Sequence, residues 1–445
     1  MTTPSKKINL KSFDGGVRTN CELIEPDRLK FWQASNVYLS PFISRGAGLS
    51  YAAASFSKGG TSLSHVHFNR ILDFDSQTNI VEVEAGITLY ELYLFLINRG
   101  LYLAIQPGHG AITIGGCIAA NVHGKNQKND GNFIEQVQSL KLFHPSYGIH
   151  EISRINNPEL FNLTCGGFGL TGNIISAKIS TTPAPSAWVL LNRTFFGDCP
   201  SVIDGLLDSQ EKRGADFSYT WHNFMSTEKR FGEGYVFSGG FSHNTAAVNA
   251  LKTTKLKSIN KPNQIAGFNR FTTKLINKIY QLQQSCTPNK QIVKLDKILF
   301  PLASKEFYFK LYGKKGFHEY QAIIPHHNIS VFTEEVRGYV RANRIAIPLA
   351  SAKIAGGSSS LLQYSGEGIN IAINTPRTNS SHKFLAFLDG LALDLGGTPN
   401  IVKDSRLPKH VVDGCYPEAD LFRNQLQQYD PKRLYQSELS IRLGL

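Results

Sequence analysis

The periodicity of apolar residues changes along the chain, and each change predicts an element. Ile80-Val-Glu-Val-Glu-Ala alternates apolar and polar side chains, the period of a half-buried strand. Thr88-Leu-Tyr-Glu91 has the spacing of a capping box. The apolar run 92–97 follows it, and Gly100 can end the helix so begun. Leu101-Tyr-Leu-Ala-Ile reads as another strand. The runs 137–144 and 148–152 flank Pro145-Ser-Tyr-Gly, a turn composition, and predict a hairpin. A strand over 174–179 stops at the breaker-rich Thr182-Pro-Ala-Pro-Ser. Further on, Glu306-Phe-Tyr-Phe-Lys-Leu-Tyr and Tyr320-Gln-Ala-Ile-Ile read as aromatic strands, and Gly396-Gly-Thr-Pro is a second breaker cluster. Short helices and strands are mixed with neither a regular βαβ repeat nor an internal repeat, which predicts an α+β protein. The breakers predict domains at 1–183 and 184–398 and a tail at 399–445, too short for its own core and expected to pack back on the first domain.

Composition sharpens this picture. Of 445 residues, 41% are hydrophobic and 18% charged, which excludes a disordered or coiled-coil chain. No apolar run is long enough for a membrane span. The first residues lack the apolar core of a signal peptide, so a cytoplasmic protein is expected. Six cysteines are scattered without a C-x-x-C pair, which argues against zinc ribbons and a disulfide scaffold; no metal is expected. Net charge is +13. Residues 241–300 hold ten basic residues against one acid, Asp296. That stretch, 252–297 in particular, predicts an anionic partner such as a phospholipid surface, against the plainer reading of a solvated loop or a lid over a substrate pocket. Nucleic acid is the other anionic candidate, but no RNA-binding, zinc-finger or helix-turn-helix signature accompanies the charge.

Four glycine-rich segments fall early in the chain: Arg45-Gly-Ala-Gly-Leu-Ser-Tyr51, Gln106-Pro-Gly-His-Gly, Thr113-Ile-Gly-Gly-Cys-Ile-Ala-Ala, and Cys165-Gly-Gly-Phe-Gly-Leu-Thr-Gly-Asn. Glycine lets backbone N–H groups approach a phosphate closely, and a helix opening at Gly115-Gly116 under a Thr113 cap would favour an anion. Together they predict an extended anionic cofactor. Gly167-x-Gly169-x-x-Gly172 matches the dinucleotide fingerprint literally, but a strand-like run follows it instead of a helix, so the Rossmann reading fails.

The motifs R-G-A-G-L-S-Y, P-G-H-G-A-I-T-I-G-G-C-I-A-A-N-V-H-G-K-N and G-G-F-G-L-T-G resemble the FAD-binding domain of the vanillyl-alcohol oxidase/p-cresol methylhydroxylase superfamily. Val122-His-Gly-Lys-Asn126, Tyr320-Gln-Ala-Ile-Ile-Pro325, Lys403-Asp-Ser-Arg406, Tyr416-Pro-Glu-Ala-Asp and Asp430-Pro-Lys-Arg-Leu extend the resemblance to its decaprenylphosphoryl-β-D-ribose 2′-oxidase family, over nearly all of 30–445 and most weakly at 190–300. The resemblance implies a two-part FAD-binding domain of mixed sheets and helices and a substrate domain on an antiparallel sheet. It places the FAD pyrophosphate against Arg45, Gly46, Ala47, Gly48, Leu49 and Ser50 and the Gly115-Gly116 turn. It extends the cofactor contacts to Tyr51, Pro107, Gly108, Thr113, Ala120, His123, Gly124 and Ile174. It assigns the substrate pocket to Lys125, Gln321, Lys353, Asn370 and Lys403, with Lys403, His123 and Tyr51 as catalytic candidates. Lys403 would polarise or deprotonate the substrate hydroxyl, acting as a base only if its site lowers its pKa.

Departures from the family also carry information. Leu49 stands where some sugar oxidases of the superfamily attach FAD through a histidine, so dissociable FAD is expected; His65 and His67 lie outside the motif. No His-Trp-x-Lys of the aldonolactone oxidases occurs near the C-terminus. Ala372 and Asn400 replace a cysteine and a tyrosine of mycobacterial members. The implied reaction is FAD-dependent oxidation of a secondary hydroxyl on a polyprenyl-phosphate-linked pentose to a keto-sugar, the first half of an epimerisation completed by a short-chain reductase. A soluble sugar or polyol oxidase without a lipid is the alternative. The lipid-linked substrate would set the enzyme peripherally on the inner membrane.

Overall fold

The computed structural model describes residues 5–33, 41–211, 214–242, 264–302 and 306–445. Three larger sheets with helices around them make an α+β protein. The hairpin Lys6–Lys11 and Arg18–Ile24 is extended by two parallel strands, Thr61–Ser64 and Phe42–Arg45. An antiparallel sheet of five follows, in the order Ile71–Asp75, Ile80–Glu84, Asn173–Ser180, Val137–His144 and Gly148–Ser153. The alternation at 80–85 and the hairpin at 137–152 are both present here.

Thr88 caps the helix Leu89–Ile97 with a full capping box, and Gly100 takes the left-handed φ of +69° just beyond it. Thr113 caps the shorter helix Ile114–Ala119. A Cβ on Gly115 would stand 2.9 Å from that of Ala85, so this glycine lets the helix lie directly on the strand before it. The predicted strand at 101–105 is shorter than expected, Leu101–Tyr102, and pairs with Thr182–Pro183.

Residues 188–399 supply all the strands of an eight-stranded antiparallel sheet. Three neighbouring strands in it are Leu349–Ala355, Gly368–Pro376 and Phe317–Ile324. Period two divides their side chains. Tyr320, Ala322, Ala350, Ala352, Ile369, Ile371 and Ile373 meet the helices Ile329–Ala342 and Asn379–Asp394 in one core. The intervening residues, Glu319, Gln321, Lys353 and Asn370, point to the opposite face.

Residues 306–310 are a helix, Glu306–Lys310, and not the aromatic strand predicted there. Tyr308 and Tyr312 meet edge to face one turn apart at 5.3 Å between centroids, and Phe309 turns onto Phe13 at 5.0 Å. Burial of the aromatics in that cluster outweighs their strand propensity. The last 45 or so residues return to the first core: Val411, Phe422, Tyr435 and Leu439 are buried among Phe42, Ile43 and Leu140. Tyr435 forms a bridge with Phe42.

Candidate active site

The inner face of the large sheet meets the glycine loops across a polar network whose donors and acceptors can be fixed from geometry. His123 Nδ1 lies 3.1 Å from the Gly124 carbonyl, which only accepts, so Nδ1 carries the proton. Nε2 is then an acceptor, for Gln321 Nε2 at 3.2 Å and Asn370 Nδ2 at 3.4 Å. Gln321 also donates to Asn370 Oδ1 at 2.9 Å, and the Tyr364 hydroxyl donates to the same oxygen at 3.0 Å. Asn400 Nδ2 closes the chain on Gln321 Oε1 at 3.0 Å. His123 is therefore a neutral, oriented ring. Burial and the charges of Lys353, Lys403 and Lys125 hold its pKa well below the usual imidazole value.

Three lysines surround this network. Lys125 is buried with its Nζ 5.5 Å from the Tyr219 ring centroid, and burial plus Lys353 pushes its pKa well down. Lys353 is lowered to about 8 by burial and by Lys403, against an opposing pull from Glu319. Among the described residues, neither Lys125 nor Lys353 has a carboxylate within salt-bridge distance. Lys403 differs: its ammonium meets Glu319 Oε1 at 3.0 Å and stands 4.5 Å above the centre of the Tyr51 ring.

The loop that carries Lys403 is anchored, not solvated. Asn400 caps the turn Ile401–Lys403 through the Val402 N–H at 3.2 Å. Arg406 clamps Asp389 with bonds of 2.6 and 3.0 Å and pairs with the buried Asp404 at 2.8 Å. Tyr51 is boxed by Phe13 and Phe317, each 5.3 Å between centroids. Burial first, and then Glu319, raises its pKa well above the usual phenol value, so its hydroxyl stays protonated.

A cavity runs from Lys403 and Tyr51 along the glycine loops. Gly46, Ala47, Gly48, Leu49, Ser50 and Tyr51 line it, with Pro107, Gly108, Thr113, Gly116 and Ala120. Among the described residues, the N–H groups of Gly46 to Ser50 have no protein acceptor, so the loop presents a row of free donors. Gly48 holds φ at +70°, and a Cβ on Gly46 would fall 2.2 Å from Thr113 Oγ1. A loop of free N–H groups kept open by glycine beside a capped helix start fits the pyrophosphate of FAD.

Other predicted residues sit outside the cavity lining. Arg45 is half-buried, donating to Ser55 Oγ at 2.8 Å. Gly115 gives its N–H to the Ala85 carbonyl, so within the Gly115-Gly116 turn it is the packing residue. Ile174 packs in the core of the five-stranded sheet. Gly124 lies against the backbone of residues 104–106. His65 is buried with its pKa lowered to about 4, and His67 is exposed; neither borders the cavity. Lys252, Lys255, Lys257 and Lys261 lie outside the described residues. Sequence reasoning missed Glu319, Tyr364 and Phe309. Glu319 was discoverable, because it sits two residues before Gln321 on a strand and so shares its face.

A family model described as FAD binding domain matches residues 26–153. Decaprenylphosphoryl-beta-D-ribose oxidase of Mycolicibacterium smegmatis is 27% identical over 91% of this chain and 89% of its own length. L-gulonolactone oxidase of Mus musculus is 30% identical over 34% of each chain. L-galactono-1,4-lactone dehydrogenase 2 of Oryza sativa subsp. japonica is 34% identical over 35% of this chain and 26% of its own. The partial matches are short, whereas the first runs through both the glycine loops and the large sheet. With a cavity that fits FAD, an inward-facing lysine and amide cluster and these relatives, the chain is an FAD-dependent oxidoreductase, similar along 91% of its length to decaprenylphosphoryl-beta-D-ribose oxidase.

Proposed function

We propose that the enzyme oxidises a secondary hydroxyl of a phosphate-bearing, polyprenyl-linked pentose to a keto-sugar. The observation that carries this reading is the pair Lys125, buried, and Lys353, half-buried: desolvated cations without a salt-bridged carboxylate among the described residues, beside a neutral histidine–amide network. Uncompensated buried cations are costly to fold around, and an anionic substrate group relieves that cost. The full-length relative named for a decaprenylphosphoryl sugar supports the same substrate class.

Bound FAD supplies the hydride acceptor. The chain supplies position and charge. Gln321, Asn370 and His123 present a fixed set of amide and ring groups to the sugar hydroxyls. Lys403, oriented by Glu319 and the Tyr51 face, places an ammonium where an alkoxide develops, which makes it an electrostatic stabiliser. The keto product requires a separate reductase, of the short-chain class, to complete an epimerisation.

FAD is held without a covalent bond, since Leu49 occupies the loop position of the linking histidine; acid precipitation should leave the flavin in the supernatant. The substrate assignment is tested by anaerobic bleaching of the flavin with a polyprenyl-phosphate pentose, a pentose phosphate, the free pentose and L-gulonolactone. Rapid bleaching by the phosphate-bearing sugars alone is expected. Equal rates with the free pentose would remove the phosphate from the recognition argument.

A further inference from the structure

The helix Arg270–Ser285 packs Ile276 and Tyr280 inward yet also carries a second apolar stripe on its outer side. A surface helix ordinarily buries its apolar stripe and exposes its polar face. Here Thr273 and Asn277 are the buried residues, and Asn277 Nδ2 donates to the Ile347 carbonyl at 3.2 Å and to Asn223 Oδ1 at 3.3 Å. Phe271, Leu275, Ile279 and Leu282 are 77%, 49%, 55% and 56% exposed. At about 100° per residue these four fall within an arc of roughly 80°. Arg270, Lys274 and Lys278 follow one flank of the stripe, and among the described residues none is paired with a carboxylate. Phe307, 65% exposed, is presented by the neighbouring short helix, whose Tyr308 packs 5.6 Å from Phe268 at the foot of the long one.

Single exposed hydrophobes are ordinary; an aligned set on one helix marks an interaction surface. We propose that this face docks on an anionic lipid bilayer, with the helix lying in the interface. Phe271, Leu275, Ile279 and Leu282 would enter the acyl boundary, while Arg270, Lys274 and Lys278 reach headgroup phosphates. The charge argues for lipid over a second copy of the chain, because an isologous pair would bring both copies' unpaired cations to one seam. The inner side of the same helix touches the aromatic cluster of Phe268, Phe309 and Tyr51, and Phe309 and Tyr51 also border the FAD cavity. Docking therefore sets the bilayer beside the cavity wall. The inference concerns a surface apart from the sugar site and holds whichever sugar is oxidised.

The test is sedimentation of the flavin-loaded full chain with phosphatidylcholine vesicles and with phosphatidylcholine/phosphatidylglycerol vesicles, at low and high salt. The wild type should partition onto the anionic vesicles and be released by salt. Leu275→Gln with Ile279→Gln should lower partitioning by roughly 100-fold, because two leucine-sized anchors are lost. Lys274→Gln with Lys278→Gln should remove most of the preference for phosphatidylglycerol. Flavin content and melting temperature should be unchanged in both pairs, whose side chains are exposed. Failure of the wild type to bind anionic vesicles, or undiminished binding by both pairs, would overturn the proposal. So would a concentration-dependent dimer that the Leu275/Ile279 pair dissolves, with no vesicle binding, since the face would then be a self-interface.

Discussion

The position of the Lys403 ammonium is fixed by its neighbours. The Glu319 carboxylate and the Tyr51 ring hold its ammonium at 3.0 Å and 4.5 Å. Lys403→Met keeps the stem and removes the charge, so flavin reduction should fall by roughly 10²–10³-fold, the usual size for a lost oxyanion stabiliser. Bound flavin should be retained, as anaerobic stopped-flow of the holoenzyme would check. Lys353 gives a pH signature. Its pKa in the folded protein is about 8, below the ordinary value of 10.5. The native state thus binds fewer protons than the unfolded chain between those values, and stability rises with pH across that window. Below about pH 8 the half-buried, desolvated ammonium burdens the fold fully. Lys353→Met should therefore raise the melting temperature at pH 7 and raise it less at pH 10. The same substitution should weaken binding of the phosphate-bearing substrate. In the wild type, KM for that substrate should increase above pH 8 as the cation is lost. A rise in kcat through pH 8, with KM constant, would instead make Lys353 a base.

At the scale of elements, the cofactor cradle joins a loop and a helix start. Thr113 Oγ1 accepts the Gly116 N–H at 3.3 Å and stands where a Cβ on Gly46 would intrude. Gly46→Ala should consequently disturb the cap and the row of free N–H groups together. The variant should purify with sub-stoichiometric flavin and bind added FAD at least about tenfold more weakly, read from the flavin-to-protein absorbance ratio. The predicted elements near this cradle were legible because their signals are local: a capping box spans four residues, and a hairpin turn announces itself by composition. The segment 306–312 was misread because its aromatics suit a strand locally, whereas the partners that make them a helix, Phe13 and Phe268, are distant in sequence.

At the scale of the molecule, the C-terminal segment closes the first core. Tyr435 is 1% exposed, its ring is 4.4 Å from that of Phe42, and its hydroxyl donates to the Phe143 carbonyl at 3.2 Å. The chain on either side is tied to Phe42 by main-chain bonds from and to residues 434 and 436. Tyr435→Ala should cost about 3–5 kcal/mol, the range for a large buried aromatic, and Tyr435→Phe about 1 kcal/mol. Denaturant unfolding of the two variants measures the difference. An equal loss would assign the anchor to the hydroxyl and not to the ring.

The sequence by itself determined what short-range chemistry can encode. The glycine loops, the helix caps, the strand alternation that puts Gln321 on one face, and the motifs that point to FAD are each written within a few consecutive residues. Only the tertiary structure decided how distant charges meet. Glu319 pairs with Lys403 across 84 positions, and Asn400 bonds Gln321 from 79 positions away. His123 meets its two donors because Gln321 and Asn370 arrive from the large sheet. Burial, which sets the pKa of Lys125 and Lys353, is likewise a property of the assembled core. The same holds for the helix Arg270–Ser285: its apolar residues are visible in the sequence, but only packing decided that Ile276 and Tyr280 turn inward while Phe271, Leu275, Ile279 and Leu282 stay exposed.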